Sequence, residues 1–148
     1  MSASFRYRRQ VQFAETDLAG IVHFSRYFRF MEEAEHALWR AAGLSIAPAN
    51  PVHGWPRVAA AFDYKRPLRF EDQFTVAVRI SAVSRRTIRY GFELRRDHTF
   101  IGHGTITVAC VTVAADGVMA SVDLPDGLVT RLTAVMTEAS SDEPTTGP

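Results

Sequence analysis

Residues 25–42 carry one long stretch of helical periodicity in a chain whose other patterned segments alternate with a period of two. Arg26, Arg29, Glu33, His36 and Arg40 fall at spacings of three and four and form a polar stripe. Tyr27, Met31, Ala34, Leu38 and Ala42 form an apolar one, and Phe28, Phe30, Ala37, Trp39 and Ala41 widen it far beyond a narrow seam. A helix this apolar must be wrapped on more than one side. Gly43 follows where a left-handed C-terminal cap belongs.

The wrapping has to come from strands. Phe5, Tyr7, Val11 and Phe13 alternate with polar residues, and only Arg9 breaks their apolar face. After the helix, residues 45–56 hold three prolines, Asn50 and Gly54 and read as an irregular connection. Three alternating runs follow: Val58 to Lys65, Phe74 to Ser81 and Ile88 to Arg95. Phe100 to Ala114 is apolar or small on both faces, as a central strand would be, and Gly102 and Gly104 mark a bulge or a close backbone approach near its start. Asp97-His98-Thr99 and Asp116-Gly117 supply turns. Leu124 to Met136 adds a short strand end and a C-terminal helix, with Leu128, Leu132 and Val135 on one face. The expected class is α+β: a curled antiparallel sheet wrapped around one long central helix, with a short second helix behind it.

The 148 residues fit one domain, expected over residues 1–136, and 47% hydrophobic residues suffice for a core. Thr137 to Pro148 offers no apolar anchor and reads as a disordered tail. With 17 basic and 16 acidic side chains the net charge is +1, which gives no electrostatic case for wholesale nucleic-acid binding. The single cysteine, Cys110, excludes an intrachain disulfide and reads as a small core residue rather than a nucleophile. The charged N-terminus lacks a following apolar stretch, and no window approaches a membrane span, so a soluble cytoplasmic protein with no membrane partner is expected. The five histidines form no spaced cluster, so no metal site is expected. A Gly-rich phosphate loop and a G-x-S-x-G elbow are both absent.

Chemistry concentrates where the first strand meets the helix, in Glu15-Thr16-Asp17-Leu18-Ala19-Gly20-Ile21-Val22-His23-Phe24. An acid ahead of a helix can cap free N–H groups or offset the dipole. It can equally work beside those N–H groups, which hold a developing oxyanion while the carboxylate attacks or activates water. Ala19 and Gly20 are small enough for the backbone to turn tightly toward a substrate. Glu15 reads as a solvated acid. His23 reads either as an aromatic-sized packing residue or as a group that protonates a leaving thiolate or orients Asp17.

Asp17 to Tyr27, D-L-A-G-I-V-H-F-S-R-Y, resembles the signature of the 4-hydroxybenzoyl-CoA thioesterase family, and the likeness runs from Phe5 to about Val113, through Asp63-Tyr64-Lys65-Arg66-Pro67. The resemblance implies the hot-dog fold and hydrolysis of an acyl-CoA thioester, with coenzyme A as part of the substrate and no cofactor. It implies that Asp17 is catalytic and that the Phe24 N–H, in the first turn of the helix, polarises the thioester carbonyl. One branch of the family has a histidine where this chain has Phe24, so the role of His23 stays open. Paired subunits are implied, as a homodimer or homotetramer with each site between two chains. Phe24, Tyr27 and Phe28 of one chain and the loop before Val58 of the other, including His53 and Gly54, would line the acyl pocket. Ser84-Arg85-Arg86-Thr87 lies where family members contact the nucleotide part of CoA, and a solvated turn is the other reading of it. The aromatic residues near the helix start fit an aromatic or short-to-medium acyl group. Esters on an acyl-carrier protein, or a non-catalytic acyl-CoA binding module on the same scaffold, are the alternatives.

Overall fold

The structure is a computed structural model and describes residues 3–138. Strand β1 spans Phe5–Gln10, helix α1 Arg26–Ala41, β2 Arg57–Tyr64, β3 Gln73–Val83, β4 Thr87–Arg96 and β5 Thr99–Ala109. These five strands form one antiparallel sheet in the order β1-β3-β4-β5-β2. Strands β6 (Val111–Val113) and β7 (Met119–Ser121) make a separate ribbon, and α2 spans Leu128–Thr133.

The sheet closes over α1. Tyr27, Phe30, Met31, Ala34, Leu38 and Trp39 of the helix are buried against Phe74, Val76 and Val78 of β3, Ile88, Tyr90, Phe92 and Leu94 of β4, and Ile106 and Val108 of β5. Each large aliphatic or aromatic side chain so buried contributes roughly 1.5–3 kcal/mol. This is the expected curled sheet around one helix. Gly43 takes φ +76° and donates to the Arg40 carbonyl, which ends the helix as its residue type requires.

Gly104 shows why the sheet can come so near. A Cβ there would stand 2.5 Å from the Ala61 carbonyl oxygen and 2.7 Å from the Met31 sulfur, so the close approach expected of Gly102 and Gly104 is real. The register between β4 and β5 also slips by one residue beside Gly102, leaving Ile101 unpaired in the ladder. The Ile101 carbonyl instead accepts the N–H groups of both Lys65 and Arg66.

Three expected elements differ. β1 stops at Gln10, and Phe13 lies not on the strand but in a short 3-10 turn, 75% exposed and edge-on to Phe70. The run Phe100 to Ala114 is two strands, because at Cys110 the backbone leaves the main sheet, donating to the Arg86 carbonyl and accepting from the Val122 N–H. No strand begins at Leu124, whose N–H goes to the Arg85 carbonyl; Leu128 and Leu132 of α2 are buried as expected. Thr137, the first residue of the expected tail, exchanges two backbone hydrogen bonds with Ser4, and residues 139–148 of that tail lie outside the described residues. Cys110 is fully buried. Among the described residues no helix is long and apolar enough to cross a membrane.

Candidate active site

Residues 16–22 form a small hairpin between the 3-10 turn and α1. Thr16 bridges Val22, the Asp17 N–H donates to the Ile21 carbonyl at 2.9 Å, and the Gly20 N–H returns to the Asp17 carbonyl at 2.9 Å. Gly20 adopts φ +79°, a conformation that side chains resist, so the tight reversal depends on a glycine there. The Asp17 side chain is exposed, and its Oδ1 accepts the Ala19 N–H at 2.8 Å. The second arm is nailed down by Val22, buried, whose N–H donates to the Leu68 carbonyl at 2.8 Å.

That arm runs into α1 through His23, Phe24 and Ser25. The helix begins at Arg26 with Ser25 as its N-cap, so Phe24 stands one residue ahead of the cap and not in the first helical turn, which corrects the expectation from the motif. The Arg26 N–H donates to the His23 carbonyl, a turn that prolongs the helix backward over Phe24. The Phe24 carbonyl accepts the Tyr64 hydroxyl at 2.7 Å, while its N–H has no hydrogen-bond partner among the described residues. Ser25 gives the helix no side-chain cap, because its hydroxyl is engaged at 2.8 Å by the His23 ring. Ser25 therefore leaves the first turn of α1 without a side-chain cap, and although the His23 carbonyl takes the Arg26 N–H, the helix still turns its positive end toward this position.

His23 is exposed, its ring tilted by 33° against Phe24 at 4.6 Å, and its Nδ1 meets the Ser25 hydroxyl at the helix cap. Tyr27 is only 3% exposed, packed between Phe30, Phe62 and Tyr64; within this chain it is core. Burial, chiefly, raises the pKa of its hydroxyl. Phe28 is half-buried against the core. Phe13, Leu18, Phe24, Tyr64 and Phe70 are exposed large side chains in the hairpin or in contact with the residues that flank it.

Glu15 is not a solvated acid. It is 8% exposed, with Oε1 accepting Arg9 Nη1 at 2.5 Å and the Gln12 N–H at 2.7 Å. The signal for this pair was present in the one charged residue on the inward face of β1.

Arg85, Arg86 and Thr87 lie elsewhere. β3 starts beside the hairpin, where the Val11 N–H meets the Asp72 carbonyl, and ends at the 84–86 turn. Its 11 residues put roughly 35 Å of strand between that turn and Asp17 in the same chain. Arg85 and Arg86 both pair with Asp123, at 3.2 and 3.0 Å, and the Thr87 hydroxyl meets that of Ser84 at 2.6 Å. The same end of the molecule holds a cavity of about 320 Å³, bordered by Trp39, Trp55, His53, Ile46, Leu128 and Arg131. Its size suits a small molecule. Trp39 and Trp55 pack edge to face in its wall, ring centres 5.2 Å apart. Among the described residues no group of His, Cys, Asp and Glu side chains could hold a metal.

An apolar helix wrapped by a five-stranded antiparallel sheet, with an acid-bearing hairpin at the helix mouth, defines a hot-dog protein built for work on an acyl group. The chain belongs to the thioesterase-like superfamily, which it matches over residues 11–132, and is thereby a thioester hydrolase. An Aquifex aeolicus protein with a provisional esterase name is 38% identical over 89 residues, covering 60% of this chain and 70% of that one. A 1,4-dihydroxy-2-naphthoyl-CoA hydrolase of Synechococcus elongatus is 28% identical over 99 residues, 65% of this chain and 73% of that one. The crystal structure of a mutant 4-hydroxybenzoyl-CoA thioesterase with 4-hydroxybenzoyl-CoA bound superposes with a TM-score of 0.79 at 15% identity, covering 88% of this chain and 99% of that one.

Proposed function

We propose that the protein hydrolyses an acyl-CoA thioester with an aromatic or short-to-medium acyl group, releasing the free acid and CoA. The observation that carries this reading is the backbone at Phe24. Its carbonyl is held by Tyr64, while its N–H, in the preceding peptide unit, is unpartnered among the described residues, at the foot of the hairpin whose other arm exposes Asp17. In this reading the Phe24 N–H and the helix N-terminus receive the thioester oxygen as it becomes negative, and each such donor is worth about 100- to 1000-fold in rate. Asp17 attacks the carbonyl carbon to form a mixed anhydride that water then opens, or else draws a proton from the attacking water; either way the C–S bond breaks and CoA leaves as its thiol. The relatives active on aromatic CoA esters support an aromatic acyl group.

The working unit we propose is a homodimer. β2 is an edge strand whose Val58, Ala59, Ala60 and Ala61 are exposed in succession, a surface that invites another strand. Antiparallel pairing of two copies about the middle of β2 would bring the Arg57 end of one strand toward the Tyr64 end of the other. The partner's cavity between Trp39, His53 and Trp55 then approaches Phe24, and the partner's Arg85 and Arg86 come to the Asp17 end, where CoA phosphates could meet them. This removes the separation that stands between those arginines and Asp17 within one chain.

The test is thiol release from a panel of aromatic, short and long acyl-CoA esters by the wild type and by Asp17→Asn. Hydrolysis by the wild type and its near-complete loss in a folded, dimeric Asp17→Asn is the expected result. Full turnover in that variant rejects the role of Asp17, and activity confined to carrier-protein esters rejects the CoA reading.

A further inference from the structure

Arg9 occupies an inward position of β1 where the alternation calls for an apolar side chain, and three groups surround it. Nε and Nη2 bond the two carboxylate oxygens of Glu33 on α1, at 2.6 and 3.2 Å. Nη1 bonds Glu15 at 2.5 Å, and the guanidinium carbon stands 4.6 Å over the Phe30 ring. The Arg9 and Glu15 side chains are 13% and 10% exposed, so solvent screens this pair little.

The partners of Glu15 extend the reach of Arg9. One Glu15 oxygen also holds the Gln12 N–H, which fixes the 3-10 turn, and the Glu15 carbonyl accepts the His23 N–H at 2.9 Å. Glu15 lies two residues before Asp17, and His23 lies one before Phe24. A single guanidinium therefore ties both arms of the hairpin, through Glu15, to α1, through Glu33.

We propose that Arg9 is a positioning residue for thioester hydrolysis, setting where Asp17 and the Phe24 N–H stand relative to each other and to the helix. The proposal rests on the catalytic reading of Asp17 given above. Geometry explains why arginine is needed. A rigid planar fork can serve two carboxylates in different directions while stacking on an aromatic ring, and a lysine ammonium is a point charge that cannot keep all three contacts. Loosening the hairpin leaves the reacting groups in place chemically but misplaced, and a displacement of about 1 Å costs on the order of 100-fold.

The test compares Arg9→Lys and Glu15→Gln with wild type and with Leu132→Ala, a core change in α2 remote from the hairpin, all assayed well below their melting midpoints. Both site variants are expected to lose about 10- to 100-fold in kcat with KM within about threefold, the larger loss falling on the variant with the looser hairpin. Leu132→Ala is expected to lower the midpoint while leaving kcat at the wild-type level. Folded Arg9→Lys and Glu15→Gln enzymes with wild-type kcat overturn the proposal, as does a kcat loss in Leu132→Ala matching theirs. If one site variant does not fold, the other decides by the same criterion; if neither folds, Arg9 is a folding residue and the proposal is overturned. Asp17→Asn assayed in parallel separates the two ideas, since full turnover there removes the catalytic reading whatever Arg9 does.

Discussion

Arg57 and Glu35 meet where the start of β2 crosses α1, the guanidinium donating two hydrogen bonds of 3.0 and 2.5 Å to a carboxylate with no exposed surface. Removing the arginine strands a charge in the core. Arg57→Met should cost about 3 kcal/mol of stability, the low end for a buried pair because the Arg57 side chain keeps 28% of its surface in solvent. Urea unfolding of the two proteins measures this, and an unchanged midpoint would show that Glu35 does not depend on Arg57.

The same carboxylate makes stability depend on pH in an unusual direction. Burial raises the pKa of Glu35 above its ordinary value of 4.5, and the opposing pull of Arg57 does not cancel that. The native state thus holds this proton more tightly than the unfolded chain. Its contribution is fully present below pH 4.5 and is lost as pH rises through the native value. Glu35→Gln should flatten that part of the curve, so the difference in unfolding free energy between wild type and variant should drift with pH above 4.5 and then level off. Parallel curves for the two proteins would contradict it.

Tyr64 holds the carbonyl of Phe24, the residue whose N–H is the proposed oxyanion donor. Tyr64→Phe removes one hydroxyl from an exposed position and should leave the melting midpoint nearly unchanged. Loss of the bond to the Phe24 carbonyl should lower kcat by roughly fivefold, the worth of about one hydrogen bond. Steady-state kinetics with a chosen acyl-CoA reads it directly.

The open edge of the sheet predicts an assembly phenotype. Ala59→Lys with Ala61→Lys places like charges on both copies where β2 would pair, and should yield a folded monomer by light scattering with little thioesterase activity. A fully active monomer would place the whole site within one chain.

Arg85→Ala with Arg86→Ala removes two exposed side chains that both pair with Asp123. KM for acyl-CoA should rise several-fold while kcat holds, and a substrate lacking the nucleotide part of CoA should show no such change. Equal KM values for both proteins on acyl-CoA would assign this turn to solvent.

The period of 3.6 over residues 25–42 and the period of 2 in the strands identify the helix and the sheet around it, because each pattern reports which face is buried. Gly102 and Gly104 signal a bulge or a close approach from sequence, and both are present, the slip beside Gly102 and the tight contact at Gly104. Charged contacts are harder to read. Arg9 shows as a break in alternation, yet nothing in the order of residues pairs it with Glu15 and Glu33, since the pairing exists only once strand, hairpin and helix are assembled. Glu35 had a signal too: it sits four residues after Met31 and three before Leu38, on the buried stripe. Arg57, which satisfies it, lies 22 positions away across the irregular loop. Arg85 and Arg86 mark the limit of motif placement, because the sequence does not tell that β3 carries their turn to the end of the chain opposite Asp17, where both pair with Asp123.

The hairpin that carries Asp17 is fastened along both arms and bare at its tip, where Leu18 extends fully into solvent. Nothing in the core registers what side chain occupies that tip. A lineage could exchange the residue there while the curled sheet and its helix went on folding as before, so the tip can change without a toll on the core.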